Sequence, residues 1–525
     1  MKPVAFTVSL LCAMKRWRWL MLILIGPAFA WWLPELVESR LRLRSLPNGL
    51  AWEVQFNGPA NEQDNPGYVA VDGDGHLLLT GTSFAGRSQG SWLVKHDGNT
   101  GRELWRWTAD FALQSAPVAD PNGGIYLAGS QTRGYRPGPV APPFSGPDTD
   151  FAVCKVANKN GAVEWKSTFD GGLRDADWAK ELVLAADGNP VAAGFTPDDT
   201  RYFGCVAKLA AGDGRVLWQH RTRDELWHGS LALVAMHTGH VVFGSSRKSS
   251  EPGSSRISFF VTQLDGDDGR LVWTTEFPPE PPQSHMLTHL ATTPDGDVIA
   301  TGYHAKNRGR SLVVARLAGK DGRLLWSREH DAESHETIEP MSLVVGSDGD
   351  AFIGARSWNG SLTMPVFDRW VLKLSATDGH RIWANREAGK SAPFAAGEIC
   401  STPKLIMSSS ETLVCAGSTW NGSNVDVRAE WLSGSDGSVI RNLTFDGAAH
   451  DHDLFRDAAL TRSGEVVVAL GSSRCPEWIK LLKALGYRLR GGVDWSSVHS
   501  ETNRVDDADP FNYDTVLWSS LGHSQ

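Results

Sequence analysis

Lys95-His-Asp-Gly-Asn-Thr-Gly-Arg-Glu-Leu-Trp105 is the stretch around which the chain is organised. Its Gly-x-x-x-Trp core recurs at Gly101–Trp105, Gly161–Trp165, Gly214–Trp218, Gly269–Trp273, Gly322–Trp326 and Gly379–Trp383. A copy one residue shorter, Gly49-Leu50-Ala51-Trp52, precedes them. Successive tryptophans from Trp52 to Trp383 stand 53, 60, 53, 55, 53 and 57 residues apart. Between them runs a second repeated unit: an apolar run, a turn of the type Asp72-Gly-Asp-Gly75, another apolar run and a Gly.

Each period reads as four short strands joined by Gly turns, the pattern of an antiparallel sheet. In the first, Tyr68–Val71, His76–Gly81, Ser91–His96 and Arg102–Trp107 are the strands. A four-stranded unit of about 55 residues suits a blade of a β-propeller better than a solenoid repeat. Seven such units run to Val439–Leu443, the seventh with Arg441 where Trp is expected. An eighth has Ala458–Thr461 and Glu465–Gly471, with Trp478–Leu482 as a third strand. Its missing fourth strand is supplied by Leu50–Phe56, so both chain ends share one blade and the ring closes without a free sheet edge. The expectation is an all-β propeller over 49–482 with eight blades; seven is the alternative if Trp478–Leu485 is a short helix. Residues 31–48 read as a linker and 483–525 as an irregular tail.

Composition sets limits. The chain has 525 residues, 41% hydrophobic and 21% charged, with 54 Gly and 22 Trp. That is globular, with many tight turns and a repeated packing anchor. A net charge of −9 argues against a nucleic-acid binder. Met14-Lys-Arg-Trp-Arg-Trp19, the apolar run Leu20–Ile25 and Ala28-Phe-Ala30 have the layout of an export signal, either cleaved or kept as an N-terminal anchor within residues 1–30. Both readings put the body outside the cytoplasm, and a monomer is expected. Five cysteines follow, and Cys400 and Cys415 flank one strand pair, so they either bridge or stay as buried thiols.

The set Asp97-x-x-Thr100-Gly101-x-x-x-Trp105 resembles the tryptophan-docking motif of the quinoprotein alcohol dehydrogenase-like propellers, the PQQ-type repeats. The resemblance covers about Leu50 to Leu482. It implies a Trp packed between neighbouring sheets and oriented by the Asp-Gly turn. The superfamily holds cofactor-dependent dehydrogenases, outer-membrane assembly scaffolds and secreted propellers. The copies depart from the motif: Asp97 is matched by Asp265 but by Ala157, Ala210, Ala318 and Ser375 elsewhere. The adjacent-cysteine pair of many quinone-dependent dehydrogenases is absent, as is a Cys-x-x-Cys-His haem signature. PQQ therefore lacks residue-level support.

Candidate chemistry lies in the links that lead into each first strand, at the channel mouth. Eleven positions before the first-turn Gly stand Asp64, Asp177, His228, His285 and Asp453. Converging carboxylates and imidazoles suit a divalent cation, or a cationic or polyhydroxylated ligand. His450 and His452, in His450-Asp-His-Asp453, are the best local metal candidates. Solvated or turn-capping polar residues are the competing reading. No Gly-x-Ser-x-Gly elbow, His-Glu-x-x-His helix or phosphate loop occurs. Insertions at Arg133–Asp148 and Ser245–Ser255 should decorate the mouth face; Phe277–Gln283 is a third. The function expected is non-enzymatic binding or scaffolding, with an oxidoreductase or lyase using the channel as the alternative.

Overall fold

The computed structural model describes residues 50–56, 64–474 and 512–520, apart from 86–87, 122, 135–147, 172–175, 198–200, 224, 249–255, 278–283, 307–308, 332–336, 360–365, 390–402, 410 and 447–452. The leader, linker, most of the insertions, Trp478–Leu482, His450 and His452 lie outside the described residues. Among the described residues no helix is long and apolar enough to cross a membrane. The chain divides between Trp52 and Glu53. Of the first unit only Leu50–Trp52, the start of strand β1 (Leu50–Phe56), is described.

The second unit is an all-β propeller of four-stranded antiparallel blades. Its first blade is β2 (Asp64–Val71), β3 (Leu77–Ala85), β4 (Ser88–His96) and β5 (Glu103–Ala109). The next has an inner strand broken into β6 (Ala112–Leu113) and β7 (Val118–Ala119), followed by β8 (Gly124–Gly134), β9 (Asp148–Ala157) and β10 (Val163–Phe169). Then come β11 (Trp178–Leu184), β12 (Pro190–Pro197), β13 (Tyr202–Leu209) and β14 (Val216–Arg221). They are followed by β15 (Leu226–Ala235), β16 (Val241–Lys248), β17 (Ile257–Leu264) and β18 (Leu271–Phe277). Next are β19 (Ser284–Thr292), β20 (Val298–Ala305), β21 (Arg310–Leu317) and β22 (Leu324–His330). Then follow β23 (Thr337–Val345), β24 (Ala351–Trp358), β25 (Phe367–Leu374) and β26 (Arg381–Glu387). The last consecutive set is β27 (Lys404–Met407), β28 (Thr412–Trp420), β29 (Val425–Ser433) and β30 (Val439–Phe445).

Two sequence expectations are corrected. Counted as hydrogen-bonded sheets, the blades number seven, not eight, because β11–β14 and β15–β18 form one eight-stranded sheet. One backbone bridge, Tyr202↔Leu226, joins those two repeat units. The closing sheet is ordered β1, β33 (Asn512–Ser520), β32 (Val466–Arg474), β31 (Asp453–Leu460). Its third strand is thus β33, in the stretch read as an irregular tail. Asn512–Ser520 pairs antiparallel with β32 from Arg474 to Val467. Sharing of a blade by the two chain ends stands as expected, with a different C-terminal strand.

The core lies between blades. Val242, Phe259 and Trp273 of one unit pack on Leu287, Leu290, Val298 and Val313 of the next. Tryptophan docking repeats this at six seams. Trp105 Nε1 donates to Asn158 O at 3.0 Å, Trp165 to Ala211 O at 3.0 Å and Trp218 to Gly266 O at 3.0 Å. Trp273, Trp326 and Trp383 donate to Gly319, Ala376 and Gly434 carbonyls at 3.1, 2.9 and 3.1 Å. Every acceptor lies in the turn before the fourth strand of the following blade.

The motif Gly of that same turn lies flat on the incoming indole. At Gly269 φ is +71°, and a Cβ would fall 2.6 Å from Trp218 Cε3. Only glycine meets both demands cheaply. The motif Asp is dispensable because the backbone closes the turn. Gly101 N–H donates to Asp97 O at 2.9 Å, and Gly161, Gly214 and Gly322 do the same to Ala157, Ala210 and Ala318 at 2.9, 2.9 and 2.8 Å. A buried strand-three cation shares the carbonyl with the indole: Lys208 Nζ reaches Gly266 O at 2.6 Å and Asp187 Oδ2 at 2.7 Å.

Candidate functional site

The positions read as the channel mouth fall at or near the starts of inner strands, and most are buried. Asp64 opens β2, 1% exposed, and accepts a hydrogen bond from Ser83 Oγ. Asp177 immediately precedes β11 and is 0% exposed. Its Oδ2 accepts the Gly171 N–H at 2.6 Å, its own N–H donates to Thr149 O at 2.7 Å, and Thr149 Oγ1 donates back to Asp177 O at 2.8 Å. Thr149 belongs to β9, so Asp177 ties two repeat units together. Burial pushes its carboxyl up to about 7, against the Gly171 N–H, which favours the ionised form. His228 lies in β15, and its side chain is outside the described residues.

His285 lies in β19, where burial lowers its imidazole to about 4. Its ring meets the His304 ring edge-on, centroids 4.4 Å apart, and lies 6.1 Å from the Phe259 ring. Asp453 opens β31, 1% exposed. Carboxylate oxygens of Asp426, Asp446 and Asp453 lie within 4.8 Å of one another and could hold a cation. Asn421 Nδ2 already donates to both Asp426 oxygens, at 3.1 and 3.0 Å. Asp426 and Asp446 were not singled out by sequence.

A further set, also missed, lines the inner surface. The inner strands β2, β11, β19, β23 and β31 each carry a register break, at Pro66/Val69, Ala179/Glu181, Leu287/His289, Pro340/Ser342 and Phe455/Asp457. Such bulges re-aim side chains. Near them stand Tyr68, Lys180, Glu181, His289, Met341, Arg456 and Asp457. Asp457 joins three inner strands: Lys404 Nζ of β27 binds its Oδ1, and Val69 N–H of β2 donates to its Oδ2 at 2.9 Å.

Burial raises Glu181 to about 7 against the pull of Lys180, and lowers Lys180 itself. Tyr68 is raised by burial and then by the charges of Glu181 and Asp457. His289 is lowered to about 4 by burial and then by Lys180. Side chains of separate blades thus feel one another across a common space, the central channel. A cavity of about 450 Å³ there is lined by His289, Met341, Leu343, Lys404, Phe455 and Arg456. Arg456 also borders a space of about 180 Å³ beside Pro66, Tyr68 and Leu113. The two linings set the cations Lys404 and Arg456 among apolar side chains, which suits recognition of a polar ligand or peptide segment. The available signal in sequence was charge inside an otherwise apolar first strand, as at Lys180-Glu181 and Arg456-Asp457.

Blades tied by a docked indole define the class: a PQQ-type β-propeller. The chain belongs to the family described as outer membrane protein assembly factor BamB, which matches residues 46–249 and 260–475. Among solved structures it is similar to quinohemoprotein alcohol dehydrogenase ADHIIG from Pseudomonas putida HK5, at 12% identity, covering 91% of this chain and 77% of that one, TM-score 0.50. A europium-containing methanol dehydrogenase gives 10% identity, 90% and 93% coverage and a TM-score of 0.49. Sqt1 from Chaetomium thermophilum gives 11%, 81%, 97% and 0.47. At 12% identity the first is a likeness of fold. No curated protein matches the chain.

The quinone of such dehydrogenases lacks residue-level support in this sequence. The sequence has no adjacent-cysteine pair. Cys154, Cys205 and Cys415 are free thiols buried in β9, β13 and β28. Burial pushes Cys154 and Cys205 up to about 12, so neither is a ready nucleophile. Cys400 lies outside the described residues.

Proposed function

We propose that this protein is an exported, non-enzymatic binding or scaffolding module that receives its partner at the channel and its mouth. The family match across residues 46–249 and 260–475 carries this reading, because that family is described by the assembly of outer membrane proteins. The charged, partly apolar channel lining supports it. The body is a monomer placed outside the cytoplasm by residues 1–30, as a cleaved leader or a tether. Asp64, Asp177, His228, His285 and Asp453 form the mouth, and His450 and His452 extend it. A divalent cation at the mouth remains part of the proposal, with the carboxylates of Asp426, Asp446 and Asp453 the best-gathered donors.

A second reading is an oxidoreductase or lyase working in the channel. Glu181, raised to about 7 beside Lys180, is poised for proton transfer near neutral pH.

Photo-crosslinking tests the scaffold reading. A benzoylphenylalanine at Tyr68 should give a discrete protein adduct in intact cells, whereas the same group at Ile440, 60% exposed on an outer strand, should give none. An adduct from Ile440 alone would overturn it.

A further inference from the structure

His285 and His304 face each other across paired strands, with a direct register match between β19 and β20. Their rings meet edge-on at 87° with centroids 4.4 Å apart. Theirs is the one His–His ring contact among the described residues. Each ring has one nitrogen engaged and one without a partner. His304 Nδ1 lies 3.3 Å from Glu329 Oε2, and His304 Nε2 has no partner. His285 bonds the Phe277 backbone, while its Nδ1 has no partner.

The partners dictate the tautomers. With Nδ1 unpartnered and a backbone carbonyl able only to accept, the His285 proton is assigned to Nε2, which leaves a lone pair on Nδ1. The Glu329 carboxylate likewise accepts a hydrogen bond from His304 Nδ1–H, which leaves a lone pair on Nε2. Two bare imidazole nitrogens therefore stand in one buried contact, His304 being only 7% exposed. An unsatisfied buried acceptor costs about 1–3 kcal/mol, so neither is expected to stay empty-handed. Donation of the second ring N–H to a carbonyl or carboxylate is also how metal-binding histidines are held.

We propose that His285 Nδ1 and His304 Nε2 are ligands of a transition-metal ion that favours imidazole, of the Zn²⁺ class, with Glu329 as the positioning residue for His304. Asp426, Asp446 and Asp453 are the only His/Cys/Asp/Glu group of three or more within 4.8 Å among the described residues, so water completes the coordination at the histidine pair. The softer donor set separates this site from those carboxylates, which suit a hard cation. The site does not rest on the scaffold reading and would serve either function.

Isothermal titration of the full-length, chelator-stripped protein with ZnCl₂ tests it. One Zn²⁺ should bind per chain, and His285→Ala and His304→Ala should each abolish that binding. Glu329→Gln should weaken it about tenfold, since such outer partners are worth roughly 10–100-fold. Near-UV circular dichroism monitors folding of each variant. Should an alanine variant unfold, X-ray absorption of the zinc-loaded native chain decides: two imidazole nitrogens at about 2.0 Å support the site. Undiminished Zn²⁺ binding in folded His285→Ala and His304→Ala, absence of binding by the native chain, or a zinc shell with fewer than two imidazoles would overturn it.

Discussion

The seams closed by a docked tryptophan and the seam that follows β30 are built differently. At the former, an indole from a fourth strand donates to the next blade's turn and lies on its glycine. After β30 the position holds Arg441, while its cross-strand partner is Trp431. In five of the six Trp-bearing blades that partner is a cation, as in Lys95↔Trp105, Lys208↔Trp218 and Lys373↔Trp383, and in the sixth it is Gln263, opposite Trp273. The pair has exchanged places, and the Arg441 guanidinium lies 4.8 Å from the Trp431 ring centre. The reason is topological. In the closing blade the third strand is β33 and the fourth is β1, from opposite chain ends. No turn connects them, so nothing is there for an indole to dock on. The difference teaches that the motif's Trp is maintained by its neighbour's turn and not by its own strand.

The largest effect should come from removing a docked ring. Trp218→Ala leaves a cavity between two blades and should cost about 3–5 kcal/mol, seen as a lower urea midpoint. Gly269→Ala attacks the same seam from the receiving side. A left-handed backbone with a Cβ costs about 1–2 kcal/mol before Trp218 moves, so a loss of about 2 kcal/mol is expected. Calorimetry of the two variants and their double mutant should show strongly non-additive losses, because both break one contact.

A smaller, pH-dependent effect sits at the Asp177 tie. Its folded-state pKa of about 7 lies above the ordinary carboxylate value. Below about pH 4 both states are protonated and the group is neutral to stability. Between about 4 and 7 the folded chain keeps a proton that the unfolded chain releases, so the group destabilises the fold increasingly as pH rises. Asp177→Asn should therefore match the native melting temperature near pH 4. It should exceed it at pH 8 by the equivalent of roughly 1–2 kcal/mol. An unchanged difference across that range would remove the buried-acid reading. The smallest effect belongs to Arg441→Trp, expected to shift stability by no more than about 0.5 kcal/mol, since a docking turn is missing. A gain as large as the Trp218→Ala loss would break the comparison.

Much of this was legible in the sequence because the period is carried by residues with few substitutes. A Trp that fills a seam and a Gly that lies against it at positive φ repeat visibly, and they located the strands. Closure by both ends followed from the unmatched strand at Leu50–Phe56. β33 escaped because the closing blade needs no motif: Asn512–Ser520 alternates Tyr513, Thr515 and Leu517 with Asp514, Val516 and Trp518, without flanking Gly-x-x-x-Trp. The union of two units into one sheet rests on the single Tyr202↔Leu226 bridge, which leaves no compositional trace. At the candidate site, alignment on turn glycines found His285 but not His304. That partner is set by hairpin register, which becomes readable only once the strand ends are known. The bulges that turn Lys180 and Arg456 inward are equally silent in composition.

The repeated motif holds blades together, a packing role that needs no quinone. Equilibrium titration of the purified full-length protein with PQQ and Ca²⁺, followed by tryptophan fluorescence and by alcohol-dependent dye reduction, tests it most directly. No saturable binding and no dye reduction are predicted. Stoichiometric PQQ binding accompanied by alcohol oxidation would show that the propeller houses a working quinone site.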